Sequence, residues 1–152
     1  MKHLTPFQVV TDQNVPLNQD HFQKGIFVLF FYPKDNTPGC TKEACDFRDH
    51  FANFNKHSVT VYGVSRDDLK SHQKFKEKFT LPYTLLTDES GDLCMQLDVW
   101  KQKTFMGRKY MGIERSTFVI QDGVILHEWR NVKIDGHSEA VYQFIQTLLP
   151  AA

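Results

Sequence analysis

The chain has 152 residues, a length typical of one domain with a buried core, so we expect a single domain over residues 1–152. Its 18 Lys and Arg residues balance 18 Asp and Glu residues, which gives a net charge of zero. Since no excess positive charge is available for phosphate groups, the composition disfavours nucleic acids and anionic membranes as partners.

The first strong structural signal is the apolar run at residues 26–32. It is far shorter than the roughly 20 residues of a membrane-spanning helix, and it predicts a buried strand. The N-terminal segment contains no apolar stretch of signal-peptide length, so we expect a cytoplasmic protein. A loop with Pro and Gly follows the strand, and then apolar residues recur at helical spacing, at Ala44, Phe47, Phe51 and Phe54.

Strands and helices continue to alternate after this helix. Residues 59–64 predict a second strand, which completes one βαβ unit. The following segment predicts a helix with one buried side, at Leu69, His72, Phe75 and Phe79. A third strand at residues 83–87 and a short helix from Asp92 are weaker predictions.

The second half ends in a hairpin and a helix. Asp122-Gly123 suits the positive φ angles of a two-residue turn, and strand-like sequence lies on both sides of it. From His137 onward a wide apolar stripe predicts a closing helix. The order of elements therefore predicts a three-layer α/β/α fold, with a mixed central sheet flanked by helices.

Cys40 is the first candidate for chemistry. It follows the loop that leaves the carboxyl end of the predicted strand, where open α/β sheets place reactive groups. With Thr37 as N-cap and Pro38 as the first helical residue, Cys40 falls in the first helical turn. The helix dipole favours an anion there, so we expect the sulfur to ionise more readily than a free thiol and to act as a nucleophile.

Ionisation alone does not make such a sulfur an efficient catalyst. A free thiol is already a few per cent thiolate at pH 7, so full ionisation gains only about 30-fold. Attack by the sulfur on a substrate bond puts negative charge on the leaving group, and fixed donors would lower that barrier. We expect the donors to be the Thr37 hydroxyl, backbone N–H groups near Gly39 and Cys40, and one arginine that folds back from elsewhere.

Cys45 lies five residues after Cys40. In an intact helix that spacing separates the two Cα atoms by about 8 to 9 Å. A disulfide needs them within about 7 Å. A sulfenic acid on Cys40 would therefore reach the second thiol only after local unwinding of the helix.

The segment from Phe31 to Asp49 resembles the active-site segment of peroxiredoxins, whose Pro-x-x-x-Thr-x-x-Cys pattern is matched by Pro33, Thr37 and Cys40. A cysteine five residues later, followed by Phe-Arg-Asp, is similar to the branch called bacterioferritin comigratory protein or peroxiredoxin Q. Residues 100–120 also resemble that branch. The likeness extends over nearly the whole chain.

This resemblance implies a thioredoxin-like fold and the reduction of hydrogen peroxide and organic hydroperoxides. It implies Cys40 as the peroxidatic cysteine and Cys45 as the resolving cysteine, with Pro33, Thr37 and Arg115 forming the pocket around them. It also implies regeneration by thioredoxin or a similar dithiol, a largely monomeric state, and no metal or organic cofactor.

Other interpretations stay open at this point. A disulfide exchanger would normally carry Cys-x-x-Cys, and a cysteine hydrolase would need a histidine base that the sequence does not identify. A redox sensor without turnover would use the same two thiols. The apolar neighbours of Cys94 favour a residue packed in a helix. The second interpretation is that Cys94 acts as an alternative resolving thiol. The scattered histidines do not predict a zinc site.

Four large apolar residues of the later segment also have two interpretations. They would either rim the reactive pocket or pack in the interior, and they are Trp100, Phe105, Met106 and Met111.

Overall fold

The computed structural model describes residues 2–149, which form ten β-strands and five α-helices. The strands are β1 Lys2–His3, β2 Gln8–Thr11, β3 Pro16–Asn18, β4 Ile26–Phe31, β5 Val59–Ser65, β6 Thr84–Thr87, β7 Trp100–Phe105, β8 Arg108–Ile113, β9 Ser116–Gln121 and β10 Val124–Trp129. The helices are α1 Pro38–Asp49, α2 Phe51–Lys56, α3 Leu69–Phe79, α4 Asp92–Gln96 and α5 His137–Leu148, with a 3-10 helix at Gln19–Phe22. Within this part of the chain, no helix is long and apolar enough to span a bilayer.

Eight strands form one sheet in the order β1-β10-β9-β4-β5-β6-β2-β3, while β7 and β8 form a separate two-stranded sheet. The pairs β4–β5 and β5–β6 are parallel, and β4–β9 is antiparallel. The predicted βαβ unit and the mixed sheet are therefore confirmed.

The central strand β4 is buried on both faces, as its continuous apolar sequence predicted. Successive side chains alternate between the faces, so Leu29 and Phe31 enter one cluster while Phe30 enters the other. Residues of α1, α3 and α5 cover the second cluster, at Phe47, Phe75 and Ile145. The 3-10 helix and α4 cover the first, at Phe22 and Leu93. Helices thus flank both faces, which confirms the three-layer prediction.

Two hairpins close with the same left-handed turn geometry. Asp122 and Gly123 have φ angles of 52° and 80°, which confirms the predicted hairpin between β9 and β10. The turn between β7 and β8 was not predicted, although Met106 and Gly107 have similar φ angles of 50° and 79°. Methionine rarely takes a positive φ angle, so the sequence carries little turn signal there.

The apolar spacing after Cys40 suggested one helix, but the structure divides it at His50. The backbone of His50 has φ −94° and ψ 0°, outside the helical region. Its ring lies 2.8 Å from Ser138 Oγ and 3.1 Å from a carboxylate oxygen of Glu139, both in α5. These contacts tie the break to the closing helix.

Candidate active site

Cys40 lies in the first turn of α1, after the loop that follows β4. Thr37 is the N-cap with an extended backbone, and Pro38 is the first helical residue, so the predicted helix start is confirmed. The Cys40 side chain is only 2% exposed. A buried sulfur therefore sits in the turn whose backbone N–H groups lack helical partners.

The Thr37 hydroxyl makes a different contact from the one expected. It does not cap the helix, and it donates a hydrogen bond to the carbonyl oxygen of Lys34 at 2.9 Å. Its hydrogen is therefore engaged, while its oxygen keeps lone pairs that accept hydrogen bonds. The predicted donor role does not fit this contact, and an acceptor role does.

The loop before α1 is fixed by a buried network centred on Asp35. Its carboxylate accepts hydrogen bonds from the hydroxyls of Tyr32 (2.5 Å) and Ser71 (2.8 Å) and lies 2.7 Å from His72 Nδ1. Its backbone N–H donates to Asp67 Oδ2 at 2.8 Å. Side chains of α3 thus hold the loop that carries Thr37.

This network also has the spacing of a metal site, since ligand atoms of Asp35, Asp67 and His72 all lie within 4.8 Å of one another. These atoms already take part in hydrogen bonds to the protein. The arrangement therefore suits a structural network that positions the loop better than a cation site.

Arg115 lies between β8 and β9, 75 residues from Cys40 in sequence. Its Nη2 atom donates to Cys40 Sγ at 3.3 Å, and its Nη1 atom donates to Glu43 Oε1 at 2.7 Å. Its backbone carbonyl accepts a hydrogen bond from the N–H of Val132 at 2.9 Å. The structure thus brings the predicted arginine into contact with the predicted nucleophile.

The sequence analysis missed Glu43. Its side chain is 1% exposed, and its Oε2 atom has no hydrogen-bond partner among residues 2–149. Burial raises the pKa of Glu43 to about 7, against the opposing effect of Arg115. A signal did exist, because Glu43 lies three residues after Cys40 and beside Ala44, on the side of the helix that carries apolar residues.

A cleft of about 340 Å³ opens beside this cluster. Pro33 and Arg115 line it together with Lys101 and Lys103 of β7. Burial, together with the charge of Arg115, lowers the pKa of Lys103. Arg115 therefore links the cleft to Cys40, and Pro33 lies at the same opening.

Cys45 lies in the same uninterrupted helix and is half-buried. Burial raises the pKa of the Cys45 thiol, and Asp49 and Asp46 add to this rise while Arg48 opposes it. Both Cys40 and Cys45 are free thiols. Since α1 is intact across them, the helical separation of about 8 to 9 Å applies to the structure.

The two parts of α1 are held in different ways. Beyond the first turn, Tyr83 Oη donates to the carbonyl oxygen of Ala44 at 2.6 Å. The Phe47 ring stacks on Phe30 at 4.5 Å between centroids. The first turn lacks these two anchors, and it is held by the hydrogen bond from Arg115 to Cys40 and by the packing of Cys40 in the core cluster.

Cys94 is packed inside α4 and is fully buried, as its apolar neighbours predicted. Its backbone N–H donates to Asp88 Oδ2 at 2.7 Å. Burial, and then the Asp88 carboxylate, raise the pKa of the Cys94 thiol well above its usual range. Cys94 belongs to the core cluster on one face of the sheet and Cys40 to the cluster on the other, so the structure disfavours Cys94 as a resolving thiol.

Comparison with known proteins agrees with this site. The sequence profile of the AhpC/TSA family matches residues 2–128, which is more than half of the chain. The chain therefore belongs to the AhpC/TSA family.

Its curated relatives narrow the assignment within that family. A putative peroxiredoxin Bcp of Coxiella burnetii is 48% identical over 132 residues, covering 86% of this chain and 87% of the relative. Peroxiredoxin Bcp of Bacillus subtilis is 52% identical over 122 residues, covering 80% of this chain and 76% of the relative. These matches support the branch named bacterioferritin comigratory protein or peroxiredoxin Q, as the sequence resemblance implied.

Solved structures agree with the fold. A cysteine-to-serine variant of Xylella fastidiosa peroxiredoxin Q has a TM-score of 0.90 at 35% identity, covering 97% of this chain and 94% of the other. The bacterioferritin comigratory protein of Xanthomonas campestris, described for its alkyl peroxide reduction activity, has a TM-score of 0.88 at 35% identity, covering 93% and 91%. The thioredoxin-like fold is thus confirmed, and the chain is in general terms a thiol peroxidase.

Proposed function

We propose that Cys40 is the peroxidatic cysteine and that it reduces hydrogen peroxide and organic hydroperoxides. The observation that carries this proposal is the 3.3 Å hydrogen bond from Arg115 Nη2 to a buried sulfur at a helix start. The Cys40 thiolate attacks one peroxide oxygen, so that an S–O bond forms and the O–O bond breaks. Cys40 becomes a sulfenic acid, and the other oxygen takes a proton and leaves as water or an alcohol.

Arg115 supports both charges of this step. Its guanidinium stabilises the thiolate before the attack and the leaving oxygen during it. The unpaired N–H groups of the first helical turn add further donors. Thr37 takes the complementary role, because its oxygen accepts the hydrogen of the hydroperoxide and orients the bond under attack.

Glu43 positions Arg115 for this chemistry. Its Oε1 atom binds Nη1, which leaves Nη2 directed at Cys40 Sγ. Pro33 lines the opening through which peroxide reaches the pair. The assignment of Glu43 as a positioning residue adds one residue to those that the sequence pattern indicated.

Cys45 resolves the sulfenic acid. Its thiol attacks Cys40 Sγ, a disulfide forms, and the sulfenic oxygen leaves as water. This step needs unwinding, and the first turn is the part of α1 that unwinds, since the part beyond it is held by Tyr83 and the aromatic core. A dithiol such as thioredoxin then reduces this disulfide by thiol–disulfide exchange and is itself oxidised to a disulfide.

The cycle needs electrons from that dithiol alone, so we propose that the protein uses no metal or organic cofactor. Since both cysteines belong to the same chain, we also propose that the monomer is catalytically complete. Three free thiols suit a reducing compartment such as the cytoplasm. A sensor that is oxidised once without turnover is the second candidate, because it would use the same contacts.

Turnover separates the two candidates. With thioredoxin, its reductase and NADPH, the protein should consume hydrogen peroxide through many cycles, and Cys40→Ser should abolish consumption. A single stoichiometric oxidation with no further NADPH use would favour the sensor.

Hydrogen exchange tests the unwinding step. After peroxide treatment, the amides of the first turn of α1 should lose protection in the wild type. Cys45→Ser is the matched control, since it forms the sulfenic acid but no internal disulfide, and its first turn should stay protected. Equal protection in the reduced and oxidised wild type would contradict the proposed resolution.

A further inference from the structure

The strands β7 and β8 form a ribbon that stands apart from the main sheet, and we call residues 100–113 the basic hairpin. The ribbon ends in the turn at Met106 and Gly107. A Cβ atom added to Gly107 would meet no other atom within 4 Å, so the tip lies in open space. The hairpin thus projects from the protein next to the candidate active site.

The tip is apolar although it is exposed. Phe105 is 67% exposed and Met106 is 88% exposed, while Tyr110 and Met111 are about half exposed. These four account for most of the large exposed apolar side chains among residues 2–149. The exposure of Phe105, Met106 and Met111 shows that they do not pack in the interior, so that interpretation of the sequence is wrong for these three residues. Trp100 is different, since it packs half-buried against the core.

The charge of the hairpin is strongly one-sided. It contains four cationic residues and no acidic residue, at Lys101, Lys103, Arg108 and Lys109. Lys101 pairs with Asp98 at 2.9 Å. The zero net charge of the whole chain thus conceals a local positive region, which the composition argument against anionic membranes did not consider.

Three of the cations and two of the apolar residues share one face of the ribbon, while Lys109 and Met111 lie on the other face. Alternate residues of a strand point the same way, which places Lys101, Lys103 and Phe105 together. Directly opposite residues also share a face, and the register pairs Lys103 with Tyr110 and Phe105 with Arg108. Lys101 and Lys103 line the cleft beside Arg115, so this face adjoins the opening of the candidate site.

We propose that the basic hairpin docks on anionic lipid bilayers, with Phe105 and Met106 entering the head-group region and the cations contacting acidic lipids. Amphipathic elements of this composition bind at the membrane interface through buried apolar area and attraction to anionic lipid. A specific protein interface needs about 800 Å² of matched surface on each partner, whereas a fluid interface can surround a narrow projecting tip. The shape and the charge of the hairpin therefore favour a bilayer as the occupant.

Co-sedimentation with vesicles tests this proposal. The reduced full-length protein should bind vesicles of phosphatidylcholine with phosphatidylserine and not vesicles of phosphatidylcholine alone. Binding should fall sharply between about 0.1 M and about 1 M salt, where the screening length shrinks from about 10 Å to about 3 Å.

Two pairs of variants locate the surface. Arg108→Gln with Lys109→Gln should weaken vesicle binding about 30-fold, the equivalent of about 1 kcal/mol per cation. The matched control is Lys70→Gln with Lys74→Gln, two exposed cations of α3, which should change binding less than about twofold. Phe105→Ser with Met106→Ser should also weaken binding at least about tenfold, and Met95→Ser, an exposed apolar residue elsewhere, should not.

Hydrogen peroxide turnover should be unchanged in all four variants, which shows that they fold and that the effect belongs to docking. Failure of the wild type to bind acidic vesicles overturns the proposal, and so does an equal loss in the control variants. If the hairpin variants instead raise the KM for the dithiol reductant and vesicle binding is absent, the surface docks a protein and the proposal is wrong.

Discussion

Cys40 and Cys94 are both buried in the core, yet their surroundings differ in the sign of the nearest charge. The guanidinium of Arg115 donates a hydrogen bond to Cys40 Sγ. The carboxylate of Asp88 lies beside Cys94 and accepts a hydrogen bond from its backbone N–H. Burial alone therefore does not decide which cysteine is reactive, because the neighbouring charge determines whether a thiolate is stabilised.

The largest expected effect comes from replacing each of the two cysteines with serine. Cys40→Ser should lower peroxide turnover by at least about 10,000-fold, because the nucleophile is removed. Cys94→Ser should leave the rate within about twofold, since Cys94 lies in the core cluster on the opposite face of the sheet from Cys40. Steady-state NADPH oxidation with an excess of reductant measures both. A large loss of activity in a folded Cys94 variant would contradict the contrast.

The charged neighbours provide the next test. Arg115→Lys should slow the oxidation of Cys40 by about 100-fold to 1000-fold, because a single ammonium cannot bind the sulfur and Glu43 together. Rapid-quench mass spectrometry of the sulfenic acid gives this rate constant. Asp88→Asn is the comparison variant, and it should leave that rate unchanged while it lowers thermal stability through the weakened contact at Cys94.

A carboxylate lies near Cys40 as well as near Cys94, because Glu43 is buried beside Arg115. The pKa of Glu43 rises from 4.5 in an exposed chain to about 7 in the folded protein, mainly through burial. The folded state thus retains a proton that the unfolded state loses, so this group stabilises fully below pH 4.5 and less as the pH rises to about 7. Between these pH values the contribution of Glu43 to the free energy of unfolding falls by about 3 kcal/mol. Glu43→Gln should remove this part of the pH dependence, which urea unfolding measures.

His137 provides a control of opposite sign. Burial, helped by the charge of Arg115, lowers the pKa of His137 from 6.5 to about 4. Its contribution to stability is present above pH 6.5 and is lost as the pH falls toward 4. His137→Gln should therefore make unfolding less sensitive to acid, while Glu43→Gln should make it more sensitive. Matching slopes in the two variants would rule out these assignments.

The smallest expected effect concerns the anchor of α1. Tyr83→Phe removes the donor to the carbonyl oxygen of Ala44 and should lower the free energy of unfolding by about 1 kcal/mol. The reactive turn does not depend on this bond, so peroxide oxidation of Cys40 should keep its rate. Urea unfolding and the quench assay separate the two outcomes.

Local sequence signals predicted much of the fold. The apolar run of β4 and the Asp122-Gly123 turn carry their structure in neighbouring residues, and both were predicted correctly. The short strands β1, β2 and β3 were not predicted, because two to four residues give too little periodicity and depend on pairing with distant strands.

The candidate site divides in the same way. Cys40 was predicted from its own context, since a helix start is a local feature. Arg115 came from family resemblance, because no local pattern reports a contact across 75 residues. Glu43 was missed for a related reason, since an acidic residue on a helix gains a role only when the arginine arrives from elsewhere in the chain.

The uneven support of α1 has a consequence for damage by excess oxidant. While the first turn stays folded, a sulfenic acid on Cys40 remains next to Arg115. There its sulfur can attack a second peroxide molecule and become the irreversible sulfinic acid. In the proposed cycle, unwinding of the turn takes the sulfur out of that contact and brings it to the Cys45 thiol. If resolution follows this proposal, the lifetime of the first helical turn sets how long the sulfenic acid is exposed to further oxidation, and a variant with a looser turn should survive higher peroxide concentrations.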